Sequence, residues 1–259
     1  MLYSAKGLEG YTIRATDGDI GHIDQLYFEQ ESWLVRYLVV DVGNWLISNK
    51  VLLIPGVIEH IDADGEVASV SLTKQQVKVS PSIDLSQPVS REKELALHQH
   101  YNWSPYWQVD LINRWAFGTY PAEPLVSEPP APPPGEINPE AAEVAQEAGT
   151  SSDLYSSDEV IGYHIEAEDG HIGRVEDLLI DDERWAIRYM VVDTGTWLPG
   201  RKVLVASTWV TGVRWEDEDV SVALTRETMK NSPAYDPERM IDRDYERALH
   251  QHYGKPTYW

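Results

Sequence analysis

The stretch that decides the fold is GYTIRATDGDIGHIDQLYF at residues 10–28, which returns as GYHIEAEDGHIGRVEDLLI at residues 162–180. In both stretches, residues of alternating polarity run into an Asp-Gly pair, at positions 17–18 and 169–170. Asp-Gly between alternating segments is a strong signal for a β-hairpin, because glycine tolerates the positive φ that the turn requires. The sequence therefore predicts the same hairpin twice.

The two stretches belong to one repeat, in which each residue of the first copy returns 152 positions later. The match runs without a gap from Tyr3 to Trp107, and about 40 of roughly 105 aligned pairs are identical, far above chance self-similarity. A length of 259 residues also fits two domains. We therefore predict one domain at residues 1–117 and a second at residues 154–259.

Between the copies the composition changes to proline, alanine and glutamate, as in PAEPLVSEPPAPPPGEINPEAAEVAQEAG at residues 121–149. Such a stretch has too few apolar residues to offset its ordering entropy, and its prolines favour extended polyproline II. We predict a flexible linker over residues 118–153, which acts as a solvated spacer rather than as a Pro-rich recognition segment. A short apolar tract before it is predicted to pack on the first domain: Val109, Leu111, Ile112, Trp115 and Phe117.

Further strands follow each hairpin. Residues 33–43 read WLVRYLVVDVG, a nearly continuous β-branched and aromatic run that is typical of a buried strand. Trp33 and its equivalent Trp185 flank this run, so we expect both side chains to be largely buried. Trp45 begins the next strand, and Trp33, Tyr37 and Trp45 are expected to supply much of the core.

Two short helices are predicted in each copy. In the first copy, Thr73 is placed to cap a single helical turn that ends before Ser80-Pro81. Each copy then closes with a short helix, opened by Ser90 or Asp242 and followed by acidic residues that favour a helix N-terminus.

These motifs, followed by RYLVVDVGNWL, KVLLIP and VSLTKQQVKVSP, resemble the PRC-barrel domain family, named for the cytoplasmic domain of the photosynthetic reaction centre H subunit. The resemblance covers residues 5–107 and 157–259. It implies a mainly β fold with two small PRC-type β-barrels, each carrying a short C-terminal helix and an aromatic tail. Because members of this family share a barrel and not an activity, the resemblance itself implies no reaction.

Charge and composition narrow the functional classes. The chain carries a net charge of −22 and has no cysteine, which excludes disulfides, thiolate metal sites and cysteine catalysis. Binding to nucleic acid depends on neutralisation of phosphate by Lys and Arg, so an acidic chain disfavours it, as it does an anionic membrane surface. We expect a cytoplasmic protein without a membrane-inserted segment, which binds neither nucleic acid nor a cofactor.

The histidines of the repeated His-Gln-His segment are the best candidates for metal ligands: His98, His100, His250 and His252. On a helix, residues i and i+2 point about 200° apart, so one ion cannot take both imidazoles of a segment. The favoured interpretation is a polar tail in which one histidine packs on an aromatic residue. Asp41 and Asp193, each just before a glycine, are interpreted as turn residues rather than as catalytic acids.

Each copy ends on an aromatic pair, which we take as the candidate interface: Tyr106, Trp107, Tyr258 and Trp259. We expect these tails to pair the two copies with each other, to form a homodimer, or to bind another protein. The primary hypothesis is a non-catalytic interaction or scaffold protein, since family members often dock to larger assemblies. The alternatives are a metal-dependent or enzymatic protein that uses the His-Gln-His segments and, third, RNA binding like that of the related ribosome-maturation factor.

Overall fold

The computed structural model describes residues 1–43, 50–81, 89–107, 154–195, 199–237 and 239–259. The predicted linker, the apolar tract from Val109 to Phe117, and Trp45 lie outside these residues. Within them the protein is mainly β, with two seven-stranded sheets and a few short helices. The mainly β fold predicted from the sequence is therefore confirmed.

The elements of the two copies follow the same order along the chain. In the first copy they are β1 (Leu2–Ser4), α1 (Ala5–Leu8), β2 (Thr12–Ala15), β3 (Gly18–Glu29), β4 (Val35–Asp41), β5 (Lys50–Leu53), a 3-10 turn (Pro55–Val57), β6 (Ile58–Asp62), β7 (Val67–Val70), α2 (Lys74–Lys78) and α3 (Arg91–Tyr101). In the second copy they are β8 (Leu154–Ser156), α4 (Ser157–Val160), β9 (His164–Ala167), β10 (Gly170–Asp181), β11 (Ala186–Asp193), β12 (Lys202–Ala206), a 3-10 turn (Ser207–Trp209), β13 (Val210–Arg214), β14 (Asp219–Val222), α5 (Arg226–Lys230) and α6 (Arg243–His252).

Both sheets have the same strand order. It is β5-β4-β3-β2-β7-β6 in the first sheet and β12-β11-β10-β9-β14-β13 in the second. The predicted hairpins are the β2–β3 and β9–β10 pairs, where Ala15 faces Gly18 and Ala167 faces Gly170. The two glycines have φ values of 126° and 129°, which explains why glycine stands at the turn.

The seventh strand of each sheet comes from the other copy. Strand β1 pairs antiparallel with β10, with Tyr3 opposite Ile180, and β8 pairs antiparallel with β3, with Tyr155 opposite Phe28. Both exchanged strands have the sequence Leu-Tyr-Ser. The two copies therefore complete each other's sheets reciprocally, and one apolar cluster contains buried residues of both.

The predicted burial of the two tryptophans before the central strands is confirmed for Trp33 but not for Trp185. Trp33 and Trp185 do not open a strand but lie in the preceding turn, with φ values of 56° and 52°. Trp33 is 7% exposed and stacks on Phe28 with 5.2 Å between ring centroids, whereas Trp185 is only partly buried. The second copy has Ile180 at the place of Phe28, so Trp185 has no aromatic ring at that position to stack on.

The predicted helix starts are confirmed. Thr73 accepts a hydrogen bond from the Gln76 amide in a capping box, and Ser90 accepts one from Lys93. In the second copy Asp242 accepts from Tyr245. Among the helices that the structure describes, none has the length and apolar character needed to cross a membrane.

Candidate functional site

A buried polar network joins the last helix of the first copy to the centre of its sheet. Tyr37 of β4 and Tyr106 of the tail both donate to Glu94 Oε1, at 3.0 and 2.9 Å. Arg91 Nη1 lies 3.0 Å from Glu94 Oε2 and 2.6 Å from Tyr106 Oη, and His98 Nε2 lies 2.8 Å from Tyr37 Oη. The Glu94 carboxylate thus receives three donors in a site closed to water.

The same network stands 152 positions later, on β11, α6 and the second tail. Tyr189 and Tyr258 donate to Glu246 Oε1 at 3.1 and 2.6 Å, and Arg243 Nη1 lies 3.0 Å from Glu246 Oε2. His250 Nε2 lies 3.0 Å from Tyr189 Oη. Every polar member of the first network therefore has an identical residue in the second.

The helix positions these side chains through simple spacing. Arg91, Glu94 and His98 are three and four residues apart, so they lie on one face of α3. That face contains the buried residues Arg91, Glu94, Leu97 and His98, and it packs on the outer side of the sheet, against Val39 and Leu52. The helix therefore presents its charged groups to the hydroxyl of Tyr37 while Leu97 fills the apolar space beside it.

Burial dominates the electrostatics of this network. It raises the pKa of Glu94, although the Arg91 guanidinium and the tyrosine hydroxyls oppose the shift. It raises the pKa of Tyr37 well above the ordinary value, helped by the charge of Glu94. It lowers the pKa of His98 to about 4 and also lowers that of His250. Both imidazoles are therefore neutral near pH 7.

The predicted interface aromatics lie within their own copies. An Arg stacks over each tail tyrosine, with Arg36 at 4.1 Å from the Tyr106 ring centroid and Arg188 at 4.2 Å from that of Tyr258. Trp107 is 7% exposed, whereas Trp259 is 47% exposed. The strand pairing between the copies lies elsewhere, on β1 and β8, so a contact of the tails with another chain stays a prediction.

The two histidines of each His-Gln-His segment lie on different sides of their helix, as the i, i+2 spacing requires. His98 and His250 point into the networks, whereas His100 Nε2 lies 3.1 Å from the Gln76 carbonyl and His252 Nε2 lies 2.8 Å from that of Thr228. In the described part of the chain, no group of three or more His, Asp or Glu side chains is placed to hold a metal ion.

The two aspartates before glycine act in turns. Asp41 Oδ1 accepts a hydrogen bond from the Gly43 amide at 2.8 Å, and Asp193 Oδ1 accepts one from Gly195 at 2.9 Å. This is the Asx-type role that the sequence predicts for them.

The contact between the copies has approximate two-fold symmetry. Leu34 forms an antiparallel bridge with Ala186, which is its own equivalent 152 residues later. The Val35 amide donates to the Trp185 carbonyl at 2.7 Å, and the Ile187 amide donates to the Trp33 carbonyl at 2.8 Å. A residue that pairs with its own equivalent marks the axis of an isologous interface.

Polar contacts flank this axis where the exchanged strands end. Ser4 donates to Asp177, and the equivalent Ser156 donates to Gln25. The Lys6 amide donates to Asp177 Oδ1 at 3.2 Å. On the other side, Ser157 Oγ accepts from the Leu26 amide at 3.1 Å. Each exchanged strand is thus fixed by side chains of the copy that receives it.

The protein is thus a pair of duplicated β-domains that complete each other's sheets. In each domain the last helix is hydrogen-bonded to its own sheet. Residues 2–81, which lie in the first copy, match the model of the PRC-barrel domain family. An uncharacterized protein of Deinococcus radiodurans is 36% identical over 92 residues, which cover 35% of this chain and 32% of the relative. The chain therefore aligns with about a third of that relative's length.

Sequence reasoning missed the polar network, although a signal for it was available. Arg91, Glu94 and His98 are three and four residues apart, and Leu97 lies beside them. This spacing places the three polar residues on the same helix face as an apolar residue, which indicates a face that packs against the sheet.

Proposed function

We propose that this chain is a non-catalytic interaction or scaffold protein, in which two PRC-barrel modules are held as a pair within one chain. The observation that carries the proposal is the reciprocal exchange of β1 and β8 between the sheets. Each sheet includes a strand from the other copy, so the pair presents surfaces of both modules together. Docking to a larger assembly is the activity that such a unit supports.

The buried networks support a structural role for the most unusual polar residues. Glu94 is fully buried and Glu246 is 3% exposed, so neither carboxylate is open to a substrate in this arrangement. Their hydrogen bonds instead fasten the helix and the tail to the sheet. Hydrogen bonds are stronger in such a buried site than in water, so the network favours the arrangement in which these donors and acceptors meet.

The alternatives have less support. A metal-dependent or enzymatic role for the His-Gln-His segments would need imidazoles that are open to a ligand, but each one lies within hydrogen-bond distance of a protein group. RNA binding would need a basic surface on a chain with a net charge of −22. We retain a cytoplasmic location as part of the proposal, in keeping with the absence of cysteine from the sequence.

A disulfide at the axis tests the proposal. Leu34 and Ala186 are directly opposed in an antiparallel bridge, a geometry with Cα atoms about 4.5–5.5 Å apart, which suits a disulfide. Because the chain has no other cysteine, the double variant Leu34→Cys/Ala186→Cys is expected to oxidise within one chain and to lock the pair.

The locked chain and a Tyr3→Pro variant, whose proline interrupts the β1–β10 ladder, are then used as baits in a lysate of the native host. We expect a protein that the locked chain retains and the proline variant loses, and that binds again when both components are purified. Failure of the intramolecular disulfide, or equal binding by the two baits, would count against the paired scaffold.

A further inference from the structure

The charges around the exchanged strands differ between the two copies. In the first copy, two lysines stand with two carboxylates: Lys6, Lys50, Glu9 and Asp24. At the equivalent positions the second copy has Asp158, Lys202, Ile161 and Glu176, and it adds Asp177 where the first copy has Gln25. The first copy is therefore balanced here, whereas the second carries three carboxylates and one lysine.

Contacts between the copies bring these groups together. The Lys6 amide and Ser4 of the first copy bind Asp177 of the second. Within the first copy, Lys50 Nζ lies 2.5 Å from Asp24 Oδ2. Burial and then the charge of Asp24 raise the pKa of Asp158, a residue of the other copy, and Lys50 and Lys6 oppose the shift. Like and unlike charges of both copies therefore interact across the pair.

From this pattern we infer that the charges on the exchanged strands specify the pairing of the first copy with the second, because they make the second copy a poor partner for itself. The inference rests on the proposed function, since it describes the specificity of the same pair. It identifies the preferred partner of the β10 edge as a Leu-Tyr-Ser strand with a basic or neutral residue two positions after the serine, where the first copy has Lys6 and the second has Asp158.

The physical reason is electrostatic: the repulsion between two copies depends on the net charges of the two surfaces that face each other. A balanced surface meets an acidic one without net repulsion, so two contacts between unlike copies cost little. Self-pairing of the second copy would instead place Asp158 beside the partner's Asp177 and Glu176, and symmetry would repeat this contact on the other side of the axis. Repulsion in the wrong complex is a common source of pairing specificity.

The first test uses the full chain with Leu34→Cys/Ala186→Cys. The redox equilibrium of the disulfide with glutathione gives the effective concentration of one copy for the other. Lys6→Asp, which puts a carboxylate against Asp177, is expected to lower this value roughly two- to fivefold at low salt. Adding Asp177→Gln is expected to restore it, because Gln25 already accepts a serine at the equivalent position. Lys78→Asp, the same charge change on α2, is the control.

The second test compares the two self-pairings. Chains with only Leu34→Cys report pairing of the first copy with itself, and chains with only Ala186→Cys report pairing of the second with itself. At equal protein concentration we expect severalfold more disulfide-linked chain dimers from Leu34→Cys. High salt, or Asp158→Lys with Asp177→Gln, is expected to remove the difference.

The outcomes separate the two proposals. If the double-cysteine chain forms no intramolecular disulfide, the pair itself is wrong. If that disulfide forms but Lys6→Asp has no more effect than Lys78→Asp, or the two single-cysteine chains dimerise equally at low salt, the charge inference alone is overturned.

Discussion

Removing the buried carboxylate Glu94 gives the sharpest test of the polar network. In Glu94→Ala, the hydroxyls of Tyr37 and Tyr106 lose their acceptor, and the Arg91 side chain, which is 9% exposed, loses its ion-pair partner. Breaking a buried pair by removing one partner typically costs 3–5 kcal/mol, because a charge is left uncompensated. We expect a decrease of about 3–5 kcal/mol in the free energy of unfolding.

The second copy offers a matched control, because Glu246→Ala removes the same contacts from a site of different exposure. There the Arg243 side chain is 52% exposed, so water can solvate the guanidinium after the substitution. The remaining cost is that of two unsatisfied hydroxyls and a lost charged hydrogen bond, and we expect about 1–3 kcal/mol. Glu94→Gln keeps an acceptor but not the charge, so its cost in free energy of unfolding should lie between those of Glu94→Ala and Glu246→Ala.

The assay is urea unfolding of the full chain at pH 7, followed by circular dichroism and by tryptophan fluorescence. The decisive quantity is the order of the two costs rather than either value alone. If Glu246→Ala destabilises the protein as much as Glu94→Ala does, solvent exclusion around Arg91 does not control the energetics, and the reasoning fails.

Three further predictions follow from the same contacts. The pKa of His98 is about 4 in the folded protein and 6.5 ordinarily, so its contribution to the free energy of unfolding is complete above pH 6.5 and is lost as the pH falls toward 4. In unfolding curves, the difference in free energy of unfolding between the natural protein and His98→Gln should shrink by up to about 3 kcal/mol across that range, and a constant difference would contradict the shift. Trp33→Ala should cost about 3–5 kcal/mol and Trp185→Ala clearly less, since only Trp33 is buried and stacked; equal costs in the same assay would show that stacking on Phe28 does not matter. Residues 1–118 and 154–259, expressed separately, should each fold as a self-paired dimer, the second more weakly, when mass is measured by light scattering; a well-folded monomer of either would show that a copy can complete its sheet without a strand from a partner.

The local elements could be predicted because their causes lie within a few residues. The Asp-Gly turns need only a glycine with positive φ, and the helix starts at Thr73, Ser90 and Asp242 need only a side-chain acceptor beside free amides. Each of these signals is complete within its own short segment. The repeat then doubled the evidence, because both copies carry the hairpin and the helix-capping signals.

The strand exchange could not be predicted in the same way. Leu-Tyr-Ser occurs in both copies, so the sequence of β1 fits the edge of β3 as well as that of β10. No local pattern distinguishes a strand that pairs within its own copy from one that crosses to the other. The choice depends on tertiary contacts, among them the bridge between Leu34 and Ala186.

The polar network escaped prediction for a different reason. Carboxylates are rarely fully buried, so the sequence alone favours a solvent-exposed position for Glu94 and Glu246 in the first helical turn. The His-Gln-His segment attracted a metal hypothesis instead, although its helical spacing already separated the two imidazoles. Only the packed structure shows that Tyr37 and Tyr106 converge on Glu94 from two distant segments.

The bridge between Leu34 and Ala186 also bears on how such a protein can change through evolution. In a homodimer, one gene supplies both sides of the two-fold axis, so leucine would face leucine or alanine would face alanine. Fusion of two copies into one gene releases that constraint, and here a large side chain faces a small one. Tandem fusion thus gives access to asymmetric packing that no single-gene dimer can encode, and mutations in one half can be compensated in the other.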